Sequence, residues 1–219
     1  FNNDGTNDIV FTGENQEGLP VTKLFKQNSN GGFVDAEIEL KGLRESTATW
    51  VDYDMDGDLD LFVTNASGEN NFLYQNDGNG NFAQITAGYI ANDGGNSHGS
   101  AWGDFDNDGW LDLYVTNDQE QANFLYLNNG DGTFSKVLTS PLVAANGNSF
   151  GVATSDLDND GDLDIAVANH TDENNDIYIN GGNNNNYINI LLTGTNSNAS
   201  AIGARIYVTA TIDGQEITQ

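Results

Sequence analysis

The sequence predicts an all-β fold, a β-propeller of four-stranded blades, on three observations. A motif recurs with a fixed period of 52 residues. Each period holds short β-type runs separated by turns rich in Gly, Asn and Asp, and no segment shows a long helical period. Each period is also blade-sized, and a lone four-stranded unit cannot bury both of its faces. Radial repetition buries those faces and protects the sheet edges; a solenoid is the alternative stacking.

Three acidic loops set the period. They read Asp52-Tyr53-Asp54-Met55-Asp56-Gly57-Asp58-Leu59-Asp60, Asp104-Phe105-Asp106-Asn107-Asp108-Gly109-Trp110-Leu111-Asp112 and Asp156-Leu157-Asp158-Asn159-Asp160-Gly161-Asp162-Leu163-Asp164. One more step back from Gly57 reaches Gly5, inside Asn2-Asn3-Asp4-Gly5-Thr6-Asn7-Asp8, the same loop without its first position. On this reading the chain opens within a motif and comes from a longer parent. Tyr74, Tyr126 and Tyr178 keep the phase, as do Asn76, Asn128 and Asn180, Phe82 and Phe134, and Trp50 and Trp102.

Within one period the elements fall in order. Residues 47–51 are an apolar run ahead of the acidic loop, and 59–65 follow it, rich in Leu, Phe, Val and Thr. Residues 71–75 make a third strand, Asn76-Asp77-Gly78-Asn79-Gly80 a hairpin turn, and 82–86 the fourth strand. A looser stretch, 87–97, leads to the next unit, which repeats the order over 100–102, 111–117, 123–127 and 133–138. The rhythm stops after Asn180. Residues 181–186 are an Asn/Gly-rich hinge, and 187–194 and 202–209 read as strands of a short C-terminal β segment. The division is therefore 1–182 for the repeats and 183–219 for the remainder.

Charge excludes several function classes. Against 33 acids stand 6 bases, a net charge of −27, so no basic footprint exists for nucleic acid or an anionic membrane surface. No run of 18 apolar residues offers a membrane span. There is no Cys, so disulfides contribute nothing. No leader is visible, which carries no weight in a chain that opens within a motif. The two histidines, His98 and His170, read as turn or surface residues, and no Ser-His-Asp arrangement stands out. No catalytic residue is assigned. Paired carboxylates could serve glycosidase chemistry, but metal binding already accounts for every close Asp set.

Carboxylates at positions 1, 3, 5 and 9 of one short loop repel one another unless a cation sits among them. Alternating Asp can aim oxygens at one centre, and Gly at position 6 permits the bend. Calcium takes about 6–8 hard oxygen ligands and tolerates irregular geometry; magnesium asks for stricter octahedra, and zinc lacks Cys or His in the loops. An EF-hand would need Glu at position 12 and flanking helices, whereas position 12 is Val63, Val115 or Val167 in a β-type run. Solvated turn aspartates without metal are the bland alternative.

The D-x-D-x-D-G-x-x-D loop in a β repeat of this length resembles the FG-GAP/VCBS repeats of integrin α-chain propellers and many bacterial surface proteins. Phe150-Gly151-Val152-Ala153 matches the opening of that repeat, with weaker versions at 47–50 and 99–102. The resemblance covers residues 1–182. It implies calcium held by the side chains of Asp52, Asp54, Asp56 and Asp60 with the Asp58 carbonyl. It implies the same for Asp104, Asp106, Asp108 and Asp112 with the Trp110 carbonyl, and for Asp156, Asp158, Asp160 and Asp164 with the Asp162 carbonyl. The truncated loop offers Asn2, Asp4, Asp8 and the Thr6 carbonyl as a fourth, incomplete site. Integrin-like propellers have seven blades, so the four repeats here would form part of a larger ring. Residues 187–219, with Ser197-Asn198 and Ile202-Gly203-Ala204, resemble the start of the ASPIC/UnbV domain that follows such repeats in cartilage acidic protein and its bacterial relatives. Ala199 stands where that domain usually has Arg, and a strand completing the last blade is the alternative.

Together these readings give an extracellular, secreted or surface-displayed module stabilised by calcium. Its protein or glycan ligand would sit on the loops opposite the acidic ones: 66–70, 88–98, 118–121, 140–149 and 170–175. A propeller lectin, or part of a polysaccharide-degrading enzyme such as a lyase, are the alternatives.

Overall fold

The computed structural model describes residues 1–144, 146–182, 206, 208–212 and 215–218. The chain divides into two compact units, Phe1–Asn185 and Asn186–Gln219. The first unit contains four antiparallel sheets of three or four strands, each with neighbours in chain order. The first sheet is β1 (Ile9–Glu14), β2 (Pro20–Gln27) and β3 (Phe33–Asp35). The second is β4 (Ala48–Val51), β5 (Asp60–Val63), β6 (Phe72–Asn76) and β7 (Phe82–Gln84). The third comprises β8 (Ser97–Gly103), β9 (Asp112–Asn117), β11 (Phe124–Asn128) and β12 (Phe134–Lys136). Beside it, β10 (Gln121–Ala122) pairs with β13 (Asn146–Gly147). The fourth is β14 (Ser149–Ser155), β15 (Asp164–Asn169) and β16 (Asp176–Tyr178). These up-and-down sheets are the propeller blades that the repeat predicts.

The second strand of a blade explains the packing. All four residues of β5 are buried, because both faces of the sheet are covered. Leu61 and Val63 join Phe1, Leu24, Leu43 and Tyr74 between the first and second sheets. Phe62, on the other face, joins Leu113, Val115, Tyr126 and Phe134 between the second and third. In β9, Tyr114 turns the opposite way, to Leu125, Ile165 and Val167 between the third and fourth. One apolar cluster thus fills each junction. Burying each such side chain contributes about 1.5–3 kcal/mol. Aromatic residues reinforce the seams: Phe1 stacks on Trp50 at 5.7 Å, and Tyr53 meets Phe134 at 5.8 Å.

First strands of neighbouring blades run close together. A Cβ on Gly99 would lie 2.7 Å from the Phe150 carbonyl oxygen, so only glycine fits there. Between Thr49 and Ser100, the hydroxyls hydrogen-bond at 3.0 Å. The sequence predicts 100–102 as strand, but β8 starts three residues earlier. Its unpromising Ser-His-Gly start is held by pairing with β9 through a bulge between Ser97 and Ser100. The outermost strands are shorter than predicted, ending at Gln84 and Lys136, where no further strand pairs with them.

Two connectors expected to be irregular contain short helices, a 3₁₀ turn at Tyr89–Ala91 and α1 at Pro141–Ala144. No helix among the described residues is long and apolar enough to cross a membrane. In the second unit, β17 (Thr209–Ile212) and β18 (Gln215–Thr218) form an antiparallel pair. The strand expected over 187–194 lies outside the described residues. So does 202–209 apart from residues 206, 208 and 209, and with them most of the ASPIC/UnbV resemblance.

Candidate metal centres

Each acidic loop joins the first strand of a blade to the second. Its path needs two left-handed residues. Position 4 supplies one (Met55 φ 56°, Asn107 φ 56°, Asn159 φ 64°), and the glycine at position 6 the other (Gly57 φ 91°, Gly109 φ 95°, Gly161 φ 95°). The turn is closed by the first aspartate. Gly57 N–H donates to Asp52 Oδ2 at 3.0 Å, Gly109 N–H to Asp104 Oδ2 at 2.9 Å and Gly161 N–H to Asp156 Oδ2 at 3.1 Å. The aspartate at position 5 accepts the N–H of position 7 in each loop, at 2.9, 2.9 and 3.0 Å.

Folding in this way gathers carboxylates. One oxygen from each of Asp52, Asp54 and Asp60 lies within 4.8 Å of the others, as do oxygens of Asp104, Asp106 and Asp108 and of Asp156, Asp158 and Asp164. All three trios draw on positions 1, 3, 5 and 9. Asp56, Asp112 and Asp160, the remaining predicted side chains, lie in the same loops outside these trios. In the first trio, Asp52 Oδ1 and Asp54 Oδ1 are buried and accept no hydrogen bond. Buried anionic oxygens without donors are costly. Their charge shows in the carboxyl pKa values. Burial first, then neighbouring aspartates, raises Asp52, Asp56 and Asp106. Burial pushes Asp60 and Asp112 up to about 7, with added repulsion from Asp54 and Asp56 in one loop and Asp106 and Asp108 in the other. An all-oxygen anionic donor set with orphaned buried oxygens suits a hard divalent cation.

The ninth position has a second task. Asp60, Asp112 and Asp164 are fully buried. Each takes one backbone N–H from loop position 2 (Tyr53, Phe105, Leu157) and another from the end of the third strand (Asn76, Asn128) or two residues beyond it (Asn180), the latter at 2.8 Å in all three. Those asparagines repeat in the sequence, but their role shows only in the structure. Asn76, Asn128 and Asn180 donate Nδ2–H to the carbonyls of Phe1, Tyr53 and Phe105, at 2.7, 2.8 and 2.8 Å. The accepting carbonyl is position 2 of the preceding loop, so each loop is tied to the next blade. Gln75, also unassigned from sequence, donates to Asp54 Oδ2 at 2.6 Å.

The first loop is arranged differently. Asp8 keeps the ninth-position role, taking the Phe1 ammonium at 2.8 Å and Gln27 N–H at 3.0 Å. Asp4 is satisfied by Thr6 and Asn2, and the Thr6 hydroxyl chiefly lowers its pKa, the opposite of the full loops. Position 7, read from sequence as a carbonyl donor, also carries side-chain contacts: Asn3 donates to Asp58 and Asn107 to Asp162, each from the preceding loop.

The model of the FG-GAP-like repeat matches residues 1–63, 52–115 and 104–167, each match running into the next acidic loop. No curated protein matches in sequence. Among solved structures, the chain is similar to an Agrocybe aegerita lectin described for specific recognition of non-reducing terminal N-acetylglucosamine. The TM-score is 0.52 at 19% identity, over 98% of this chain and 57% of the lectin chain. That likeness concerns the fold, and the chain spans little more than half of the lectin's length. With family matches running through three successive repeats over residues 1–167, this chain belongs to the FG-GAP-like repeat family.

Proposed function

We propose that the chain is an extracellular recognition module whose blades are fastened by calcium in the three full acidic loops. The observation that carries this is the pair of buried, donor-less oxygens on Asp52 and Asp54, gathered with Asp60. The side chains at positions 1, 3, 5 and 9 would hold the ion, with the carbonyls of Asp58, Trp110 and Asp162 completing the shell. The first loop, with Asp4 already satisfied, would hold an ion weakly through Asn2, Asp4, Asp8 and the Thr6 carbonyl. When bound, the ion supplies the positive charge that buried carboxylates otherwise lack; the loop residues orient it and exclude water.

Ligand recognition is assigned to the opposite ends of the blades, where the longer, less regular loops lie. Likeness to a lectin fold supports a glycan as the second reading of the ligand, beside a protein. Thermal melting tests the metal assignment. Calcium at about 100 times its Kd stabilises by about 2.7 kcal/mol per site, or about 5–11 °C in a chain of this size. Chelator should reverse the rise and magnesium should give less. A melting temperature indifferent to calcium contradicts the proposal.

A further inference from the structure

At the blade ends opposite the acidic loops, three rings from two adjacent blades lie together. His98, near the start of β8, stacks on Phe150 of β14 with centroids 4.0 Å and planes 22° apart. His170, just after β15, leans on Phe150 at 5.0 Å and 45°. Phe150 stays 39% exposed and His170 is exposed. Burial keeps the His98 pKa below its ordinary value, which favours the neutral imidazole on Phe150. One period earlier Phe150 corresponds to His98, and two periods earlier to Ser46; the exposed phenyl is particular to this blade.

Acids rim the stack. Asp118 Oδ2 lies 3.9 Å from His98 Nε2, and Glu45 also acts on that imidazole. Loops 118–121 and 170–173 carry Asp118, Glu120, Asp172 and Glu173 and no Lys or Arg. The two loops are fixed to each other through Asn148. It gives its N–H and amide to Glu173 at 3.0 and 2.7 Å, and its Oδ1 accepts Gln119 N–H at 3.1 Å. Each loop also holds two successive non-glycine residues at positive φ, Gln119 and Glu120 (59° and 57°) and Thr171 and Asp172 (57° and 62°). Such conformations are strained and persist only where the surroundings impose them.

We propose that this surface docks a basic polypeptide segment, with an arginine side chain laid on the His98–Phe150–His170 stack and paired to Asp118. A guanidinium is the group that both stacks on aromatic faces and pairs with carboxylates in plane. A neutral sugar could stack, but it would leave the rim without counter-charge, and an anionic glycan is repelled by a chain of net charge −27. The inference names the partner for the face assigned under Proposed function and rests on that assignment.

The test is calorimetric titration of the calcium-loaded chain with tetra-arginine and tetra-lysine at physiological salt. Binding of tetra-arginine should be several-fold tighter than of tetra-lysine. Phe150→Ala should weaken tetra-arginine at least tenfold with no change in charge, and Asp118→Asn at least fivefold. Asp77→Asn, an equal charge change at the other blade ends, should stay within twofold. Phe150→Leu keeps apolar bulk and should weaken binding as Phe150→Ala does, should the alanine variant fold poorly. Equal binding by all variants would mean diffuse charge attraction and would overturn the proposal, as would no binding by the parent chain. So would an array on which a neutral glycan binds through Phe150 while tetra-arginine does not. The calcium-induced melting shift of the same samples reads the metal assignment separately; if it persists without peptide binding, only the basic partner is lost.

Discussion

Asp54 and Asn128 mark the two kinds of work done by single residues in these loops. Asp54 contributes charge to a crowded trio and has a buried oxygen without a donor. Asp54→Asn relieves repulsion when no metal is present, so the chelated variant should melt no lower than the parent. Its calcium-induced shift should shrink, and calorimetry should count one strong site fewer. Asn128 ties the preceding loop to its own blade through the Tyr53 carbonyl at 2.8 Å and holds its own blade's loop through the Leu111 carbonyl at 3.1 Å. Asn128→Ala strands both acceptors, and denaturant unfolding should show a loss of about 1–3 kcal/mol for an unsatisfied buried group. The aspartates were legible from spacing alone, because like charges at alternate positions of one short loop repel unless a cation lies between them. Asn128 was visible only as a phase marker. Its partner lies 75 residues back in the chain, and no local pattern encodes a bond at that separation.

Among the elements, β5 and β9, the second strands of their blades, are buried along their whole length. β5 and β9 send alternate side chains to two different clusters, which is why they read as near-continuous apolar runs. Phe62 is fully buried in the cluster between the second and third sheets and lies edge-on to Trp102 at 5.7 Å. Phe62→Ala should cost about 3–5 kcal/mol in denaturant unfolding. A loss below about 1 kcal/mol would mean the junction collapses around the gap. Strand existence and order were readable because period, turn residues and apolar runs agree. Strand ends were not. Pairing across a bulge extends β8 into Ser97-His98-Gly99, and want of a further partner trims β7 and β12. The helical turns at Tyr89–Ala91 and Pro141–Ala144 are too short to leave a periodic signal.

Among the described residues of the first unit, three blade junctions are each closed by an apolar cluster and a polar tie, and the acidic loops gather buried carboxylates beside them. Those carboxylates give the unit a characteristic pH response. Asp60 and Asp112 have folded pKa values of about 7 against an ordinary 3.8. A carboxyl whose folded pKa is raised favours the fold when protonated, and this contribution is lost as pH rises through the folded value. The calcium-free chain should therefore melt higher at pH 6 than at pH 8. Calcium needs the ionised form, so its affinity should fall over the same window, and the calcium-induced melting shift should shrink as pH drops from 8 to 6. A melting temperature that falls as pH rises in the calcium-free chain and stays level in saturating calcium is the expected pattern, read by thermal melting at stepped pH. The most direct measurement is a high-resolution structure determined in millimolar calcium. The account predicts one ion in each of the loops at 52–60, 104–112 and 156–164, ringed by oxygens at about 2.3–2.6 Å. Loops that hold only water under those conditions, with the Asp52, Asp54 and Asp60 oxygens turned apart, would contradict it.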